Sequence, residues 1–274
     1  MRDVFIAGTG MTAFGKFGDS TVRSLTEEAT SDALRDAQAS PGDVGMAFFA
    51  NATAGILTGQ EMIRGQVALR HTGLLGVPIV NVENACASAS SAFYLAHLAV
   101  ASGQVDIALA VGAETLTHAD KRRTFAAIGT ALDLDHHLAA RQALTRTLLA
   151  AGSTDGADAA SPAPFPADTG RPRSPFMDVY AGLSHRYMEQ SGATREDLAR
   201  VAVKNQRDGK LNPKAQYGGD VTVEEVLASR PADQLRGRGG ARQVDGARVA
   251  LAENAGGFLG PDLATVVVTV LTRT

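Results

Sequence analysis

A chain of 274 residues is long enough for one large domain or two modest ones. Its 45% hydrophobic and 20% charged residues allow a substantial core, and a net charge of −3 gives no electrostatic case for nucleic acid or an anionic membrane. No apolar run approaches the roughly 20 residues that span a bilayer, and a single cysteine, Cys86, excludes an internal disulfide framework and a Cys-cluster zinc site.

Val4–Ala7 reads as a short strand ending at Gly8-Thr9-Gly10. Its apolar stretch is too short for a signal peptide, which makes the cytoplasm the expected location. A helix is predicted next, with Ser24 as N-cap and Glu27 completing a capping box. Leu25, Ala29, Ala33, Leu34 and Ala37 form its apolar face, and Pro41-Gly42 stops it. Met46–Ala50 reads as a strand, Met62–Arg70 as a helix, Pro78–Val82 as a strand and Cys86–Ala101 as a helix. Val105–Gly112 is a strand apolar nearly throughout. Strands of that kind are buried on both faces, which predicts an α/β fold, a parallel-rich sheet covered by helices. After Glu114 the pattern loosens. Residues 120–150 read as loosely helical, and Pro162, Pro164, Pro166, Pro172 and Pro175 make 151–175 an irregular loop. Helical patterns return over Met177–Gln190, Arg195–Asp208 and Val221–Ser229, the last with Thr222 as cap. Two strands, Ala247–Ala252 and Thr265–Leu271, are predicted to close the chain.

Gly8-Thr9-Gly10-Met11-Thr12-Ala13 fits G-x-G-x-x-A after a strand, the dinucleotide-binding fingerprint. That chemistry needs a helix N-terminus at the glycines, so that amides and dipole face the pyrophosphate. Phe14-Gly15-Lys16-Phe17-Gly18-Asp19 is a poor helix, and the second strand ends Phe49-Ala50-Asn51 without an acid for the ribose. The motif reads better as a strand followed by a glycine-bent loop. Cys86 stands at the junction of an apolar strand and a small-residue helix. A thiol there faces free amides and the positive end of the helix, which stabilise a thiolate and suit an oxyanion. On the residues alone, core filler and nucleophile stand level. His136-His137, after Asp133 and Asp135, lacks a third spaced ligand and reads as a solvated helix end. Arg236, Arg238 and Arg242 suit phosphates but fit a solvated turn better.

The segment NVENACASASSAF resembles the nucleophile motif of thiolases, in particular sterol-carrier-protein-type thiolases and their bacterial lipid-transfer relatives. VFIAGTGMTAFGKF, EMIRGQVALRHTGL, VDIALAVGAETLTH, the stretch from YAGLSHRYMEQ to NPKAQY and the closing QLRGRGG to TVVVTVL follow the family in order, so the resemblance covers most of the chain. It implies an acetyl-CoA acetyltransferase-like enzyme in which Cys86 takes an acyl group, lipid or sterol-derived, from acyl-CoA. A second acyl-CoA is condensed onto it, or the reverse. The coenzyme A thioester is then the substrate, and no cofactor is permanently bound. The resemblance also implies that Gly256 and Gly257 shape the oxyanion site. Glu253 falls where typical thiolases carry a second, acid/base cysteine, although an ordinary strand-end acid fits that place equally. Ser174, Phe176, Tyr180, His185 and Arg186 fall where the family's loop domain covers its substrate.

The departures matter as much. Thiolases have two similar α/β halves, and the second supplies histidines in H-[DN]-x-F-type and G-H-P motifs. Neither motif surrounds His71, His97, His118, His136, His137 or His185. The chain passes from Pro231-Ala232 almost directly to Gln234-Leu235, so it is expected to lack the last strand of the first half and most of the second. The expected organisation is a thiolase N-terminal half over 1–114, a loop domain over 115–230 and a remnant of the C-terminal half over 231–274. Where the two closing strands pack is left open. The expected function is acyltransfer through a Cys-bound intermediate. A thiolase-like carbon–carbon lyase on CoA thioesters and a catalytically reduced lipid-binding or pairing subunit are the alternatives. Thiolases pair through the first-half sheet, so a homodimer or a heteromer with a related subunit is expected, with Pro78–Val82 and the following helix as the contact.

Overall fold

A computed structural model describes residues 2–15, 17–116, 118–131, 133–135, 184, 187–229 and the backbone of 264–272. The described strands are β1 (Phe5–Met11), β2 (Met46–Ala50), β3 (Ile79–Val82), β4 (Ile107–Thr115) and β5 (Ala264–Thr272), and they form one sheet in the order β1-β5-β4-β2-β3. β2 runs parallel to both β3 and β4, while β5 is antiparallel to β1 and β4. The helices are α1 (Val22–Asp36), α2 (Ala54–Thr58), α3 (Arg64–Ala68), α4 (Ser88–Ala101), α5 (Lys121–Gly129), α6 (Arg195–Lys210) and α7 (Val223–Ala228).

The two-residue period of the strands divides their side chains between two cores. Ala47 and Phe49 of β2, with Leu109, Val111 and Ala113 of β4, pack with Leu25, Ala29, Ala33 and Leu34 of α1. Phe48 and Ala50, with Ala108 and Ala110, pack with Ala92, Ala96, Ala99 and Val100 of α4. Both faces are therefore covered by helices, which is the α/β layering that the apolar strands predict. The alanines on the α4 side have little bulk, which suits a helix lying close to the sheet.

Several boundaries differ from the sequence reading, each for a local reason. The first strand runs on through Gly8 and Gly10 to Met11, with no loop at the glycines. They lie under α1: a Cβ on Gly8 would fall 2.6 Å from the Ala33 carbonyl, and one on Gly10 would fall 2.5 Å from the Ala33 amide nitrogen. The G-x-G pattern thus serves close strand–helix packing. The N-cap of α1 is Thr21, three residues before the expected Ser24. Thr21 Oγ1 accepts from the Ser24 amide at 3.1 Å, and Ser24 Oγ accepts from the Thr21 amide at 3.0 Å, so a hydroxyl replaces the carboxylate in the capping box. The expected helix Met62–Arg70 is shortened to α3, because Ile63 sits at φ 48° and cannot continue a helix before it. Strand β4 begins at Ile107 and continues to Thr115, beyond the expected Val105–Gly112. The capped helix after Thr222 forms as read, with Thr222 Oγ1 accepting from the Glu225 amide at 3.1 Å.

The place of the closing strand is resolved. β5 lies in the interior of the sheet, paired on one side from Phe5↔Thr272 to Met11↔Val267 and on the other from Ile107↔Thr272 to Thr115↔Ala264. Among the described strands, β1 has no sheet neighbour except β5. The expected strand Ala247–Ala252 lies outside the described residues.

Candidate active site

The parallel strands β2, β3 and β4 end on one edge of the sheet, where the chain leaves β3 for α4 through Glu83, Asn84 and a one-turn 3-10 helix, Ala85–Ala87. Cys86 is the middle residue of that turn, free and exposed. It therefore precedes α4, whose N-cap is Ala87, and is not inside its first turn as expected. Ala85 stands at φ 44°, a left-handed conformation that costs an L-residue roughly 1–2 kcal/mol. A set of local bonds holds it there. Glu83 Oε1 accepts from the Ala85 amide at 2.6 Å, Ser88 Oγ donates to the Ala85 carbonyl at 2.7 Å and accepts from the Asn84 amide at 2.8 Å. Asn84 Nδ2 also donates to Ser91 Oγ at 2.9 Å. A nucleophile on a sharp strand-to-helix turn is presented outward, and backbone strain of this kind clusters at functional sites.

The electrostatics differ from the sequence reading. Protein packed against the thiol removes part of its hydration and pushes its pKa up, and its own backbone amide offsets this only in part. The described surroundings thus favour the neutral thiol, where a stabilised thiolate was expected. No described histidine compensates. His97 lies eleven residues along the chain and nine beyond the first residue of α4, about 13 Å from its start. His71 is exposed, and His118 accepts from the Asp120 amide at 3.0 Å with its other ring nitrogen 3.1 Å from Arg123.

Beside the cysteine turn, the ends of β2 and β4 build a polar cluster that the sequence reading missed. Glu114 of β4 accepts from the Ala52 and Thr53 amides and from the Thr53 hydroxyl. Asn51 donates from Nδ2 to the Ala113 carbonyl at 2.8 Å, accepts at Oδ1 from the Ala54 amide at 3.1 Å, and donates its own amide to the Val82 carbonyl at 3.2 Å. Arg64 Nη1 donates to the Asn51 carbonyl at 3.1 Å, and Arg64 Nη2 pairs with Glu61 at 3.1 Å. Burial raises the Glu114 pKa, against the opposing pull of the Thr53 hydroxyl, the Ala52 and Thr53 amides and the Arg64 charge. The signal was present in the sequence: a polar residue closes each of two otherwise apolar parallel strands, at the edge where such sheets carry their sites.

A cavity of about 500 Å³ lies among α1, α2 and α3, lined by Phe17, Arg23, Leu57, Arg64, Thr115 and His118 among others, and Cys86 is not part of its wall. Glu253, Gly256 and Gly257, the segment residues Ser174, Phe176, Tyr180, His185 and Arg186, the pair His136-His137 and the arginines 236, 238 and 242 all lie outside the described residues. Among the described residues no group of three or more side chains could hold a metal ion. No described helix is long and apolar enough to cross a membrane.

The family described as Thiolase, N-terminal domain, matches residues 4–225. The chain belongs to the thiolase family. An acetyl-CoA acetyltransferase of Methanothermobacter thermautotrophicus is 35% identical over 237 residues, 86% of this chain and 53% of that protein. The benzoylsuccinyl-CoA thiolase subunit BbsB of Thauera aromatica is 32% identical, covering 84% of this chain and 49% of the relative. Human sterol carrier protein 2 is 30% identical, covering 84% of this chain and 37% of the relative. This thiolase-family chain therefore spans about half the length, or less, of these curated relatives. Among solved structures, the Ltp2-ChsH2(DUF35) aldolase superposes with a TM-score of 0.57 at 22% identity, over 99% of this chain and 56% of the other. It shares the fold.

Proposed function

We propose that this chain is a thiolase-type acyltransferase component in which Cys86 accepts an acyl group from acyl-CoA. The observation that carries the reading is the exposed thiol on a strained turn between β3 and α4, within a segment matched by the thiolase N-terminal domain family. The Cys86 sulfur attacks the thioester carbonyl, the bond to the coenzyme A sulfur breaks, and the acyl group remains on Cys86. The proton leaving the thiol passes to a base and then to the departing coenzyme A thiolate. Gly256 and Gly257 would hold the oxyanion, Glu253 would move a proton in the condensing step, and Ser174, Phe176, Tyr180 and Arg186 would line the acyl-CoA channel. The coenzyme A thioester is consumed as substrate, and no permanent cofactor is needed. The working division of the chain is 1–114, 115–230 and 231–274, and the working location is the cytoplasm.

Mass spectrometry after incubation with acetyl-CoA and longer acyl-CoAs tests the assignment. An acyl adduct is expected in the wild type and is absent from Cys86→Ala. An adduct kept by that variant would sink it. Condensation by the purified chain should be slow, because each missing acid–base group is worth about 10² to 10⁴ in rate.

A second reading is favoured by the raised thiol pKa: the chain acts as one subunit of a heteromer, and a related partner supplies the base. The relative BbsB is itself named a subunit. Under this reading, acylation of Cys86 appears only when the partner is added.

A further inference from the structure

We infer that Glu114 is a positioning residue for the cysteine turn, acting through the end of β2 on the end of β3. The inference rests on the reading of Cys86 as the reactive group and adds the device that holds it in place. The chain of contacts is continuous. The Glu114 carboxylate gathers two amides and a hydroxyl from Ala52 and Thr53, which fixes the first residues after β2. Asn51, next to them, is tied to β4 by its side chain and to β3 by its amide, which donates to Val82 O. Val82 is the last residue of β3, four residues before the thiol. Arg64 closes the cluster from α3 by donating to the Asn51 carbonyl, and the next residue, Gly65, donates its amide to Asn81 Oδ1 on β3.

Every bond from Glu114 is one that a carboxylate accepts, and three donors converge on it. A glutamine of the same shape can keep the two amides on its single oxygen and turn its NH2 group to the Thr53 hydroxyl, which must then accept, so the bonds remain but lose the strength that an ionised acceptor gives them. Ordinary core packing does not require this. A leucine-sized residue would fill the same space at the end of an apolar strand, whereas the cluster turns a buried carboxyl group onto three donors of a single turn.

Release of the β2 end should loosen the cysteine turn and free the thiol from the packing that raises its pKa. The charged groups facing the cluster are Arg64 and, beyond it, Glu61, while Glu83 faces the cysteine turn itself. The test is the pH dependence of Cys86 alkylation by iodoacetamide, with stability followed separately by urea unfolding. Glu114→Gln is expected to lower the apparent thiol pKa and to raise the alkylation rate at neutral pH by about three- to tenfold, since the thiolate is the reactive form. Thr53→Val, which removes one donor and keeps the carboxylate, should shift the profile the same way by less. It keeps the question open to measurement if Glu114→Gln does not fold. Leu34→Ala, in the α1 core, is the control: it should lower the urea midpoint and leave the alkylation profile alone. Alkylation unchanged in both cluster variants, or changed equally in Leu34→Ala, would overturn the inference. Alkylation shifts as expected with no acyl adduct from acyl-CoA would leave the positioning role standing and remove the acyltransferase reading instead.

Discussion

At the scale of single residues, two ionisable groups at one edge of the sheet are held toward their neutral forms, Cys86 by packing and Glu114 by burial. Both are acids whose pKa lies higher in the folded chain than in the unfolded one. For Glu114 the consequence has a definite sign. Folded protein holds the proton more tightly, so the residue's contribution to stability is fully present below the ordinary carboxylate range and is lost as pH rises through the raised folded value. The urea midpoint of the wild type relative to Glu114→Gln, which cannot ionise, should therefore decline as pH rises from about pH 4, while Asp43, Asp120, Asp197 and Asp208, whose pKa values are lowered, act alike in both proteins. A difference that stays constant with pH would mean that the site is more hydrated than its geometry indicates. Cys86 titrates in the alkaline range, so its own contribution is constant across that window.

At the scale of elements, β1 and α1 illustrate how a short motif is misassigned. Gly8 and Gly10 matched a nucleotide-binding pattern, yet they occupy consecutive positions on the helix-facing side of a strand, where any side chain would meet the backbone of α1. Gly10→Ala is expected to cost about 1–3 kcal/mol, the usual range for forcing an extra carbon into a packed interface, and thermal unfolding would read it. A stability within a few tenths of wild type would show that α1 can move away. The apolar β2, β3 and β4, the small-residue helix after Cys86 and the Thr222 cap were all legible, because periodicity and capping chemistry act within a few residues. What was not legible depends on contacts distant in sequence. Asn51 reaches the Ala113 carbonyl, and Glu114 reaches Ala52 and Thr53, only because β2 and β4 are neighbours across separations of 61 and 62 residues, and the positive φ of Ala85 is held by Glu83 and Ser88 around it. The thiol's neutral preference was likewise hidden: helix position argued for the thiolate, and only the packing around the sulfur decides against it.

At the scale of the whole molecule, the sheet ends at β3, whose outer edge carries no partner strand among the described residues. Around that edge and on α4 stand exposed Val80, Phe93 and Tyr94, with Met62 (75% exposed) and Ile63 in the preceding segment. An open edge with apolar side chains on both flanks is a template for pairing with another chain, and soluble proteins seldom leave one uncovered. The same edge leads into the cysteine turn, so a partner seated there would also bury one side of Cys86 and could bring a base to it. A dimer built on β3 and α4 is therefore expected, with a second copy or with a related subunit. Light scattering of the purified chain should give a mass near twice that of the monomer. Val80→Lys with Tyr94→Lys, both surface positions, should return it to the monomer with little change in urea midpoint, because neither side chain belongs to the core. A wild type that stays monomeric at high concentration, without excess binding of an apolar dye, would refute the dimer. A dimer that survives both lysines would place the interface elsewhere on the molecule.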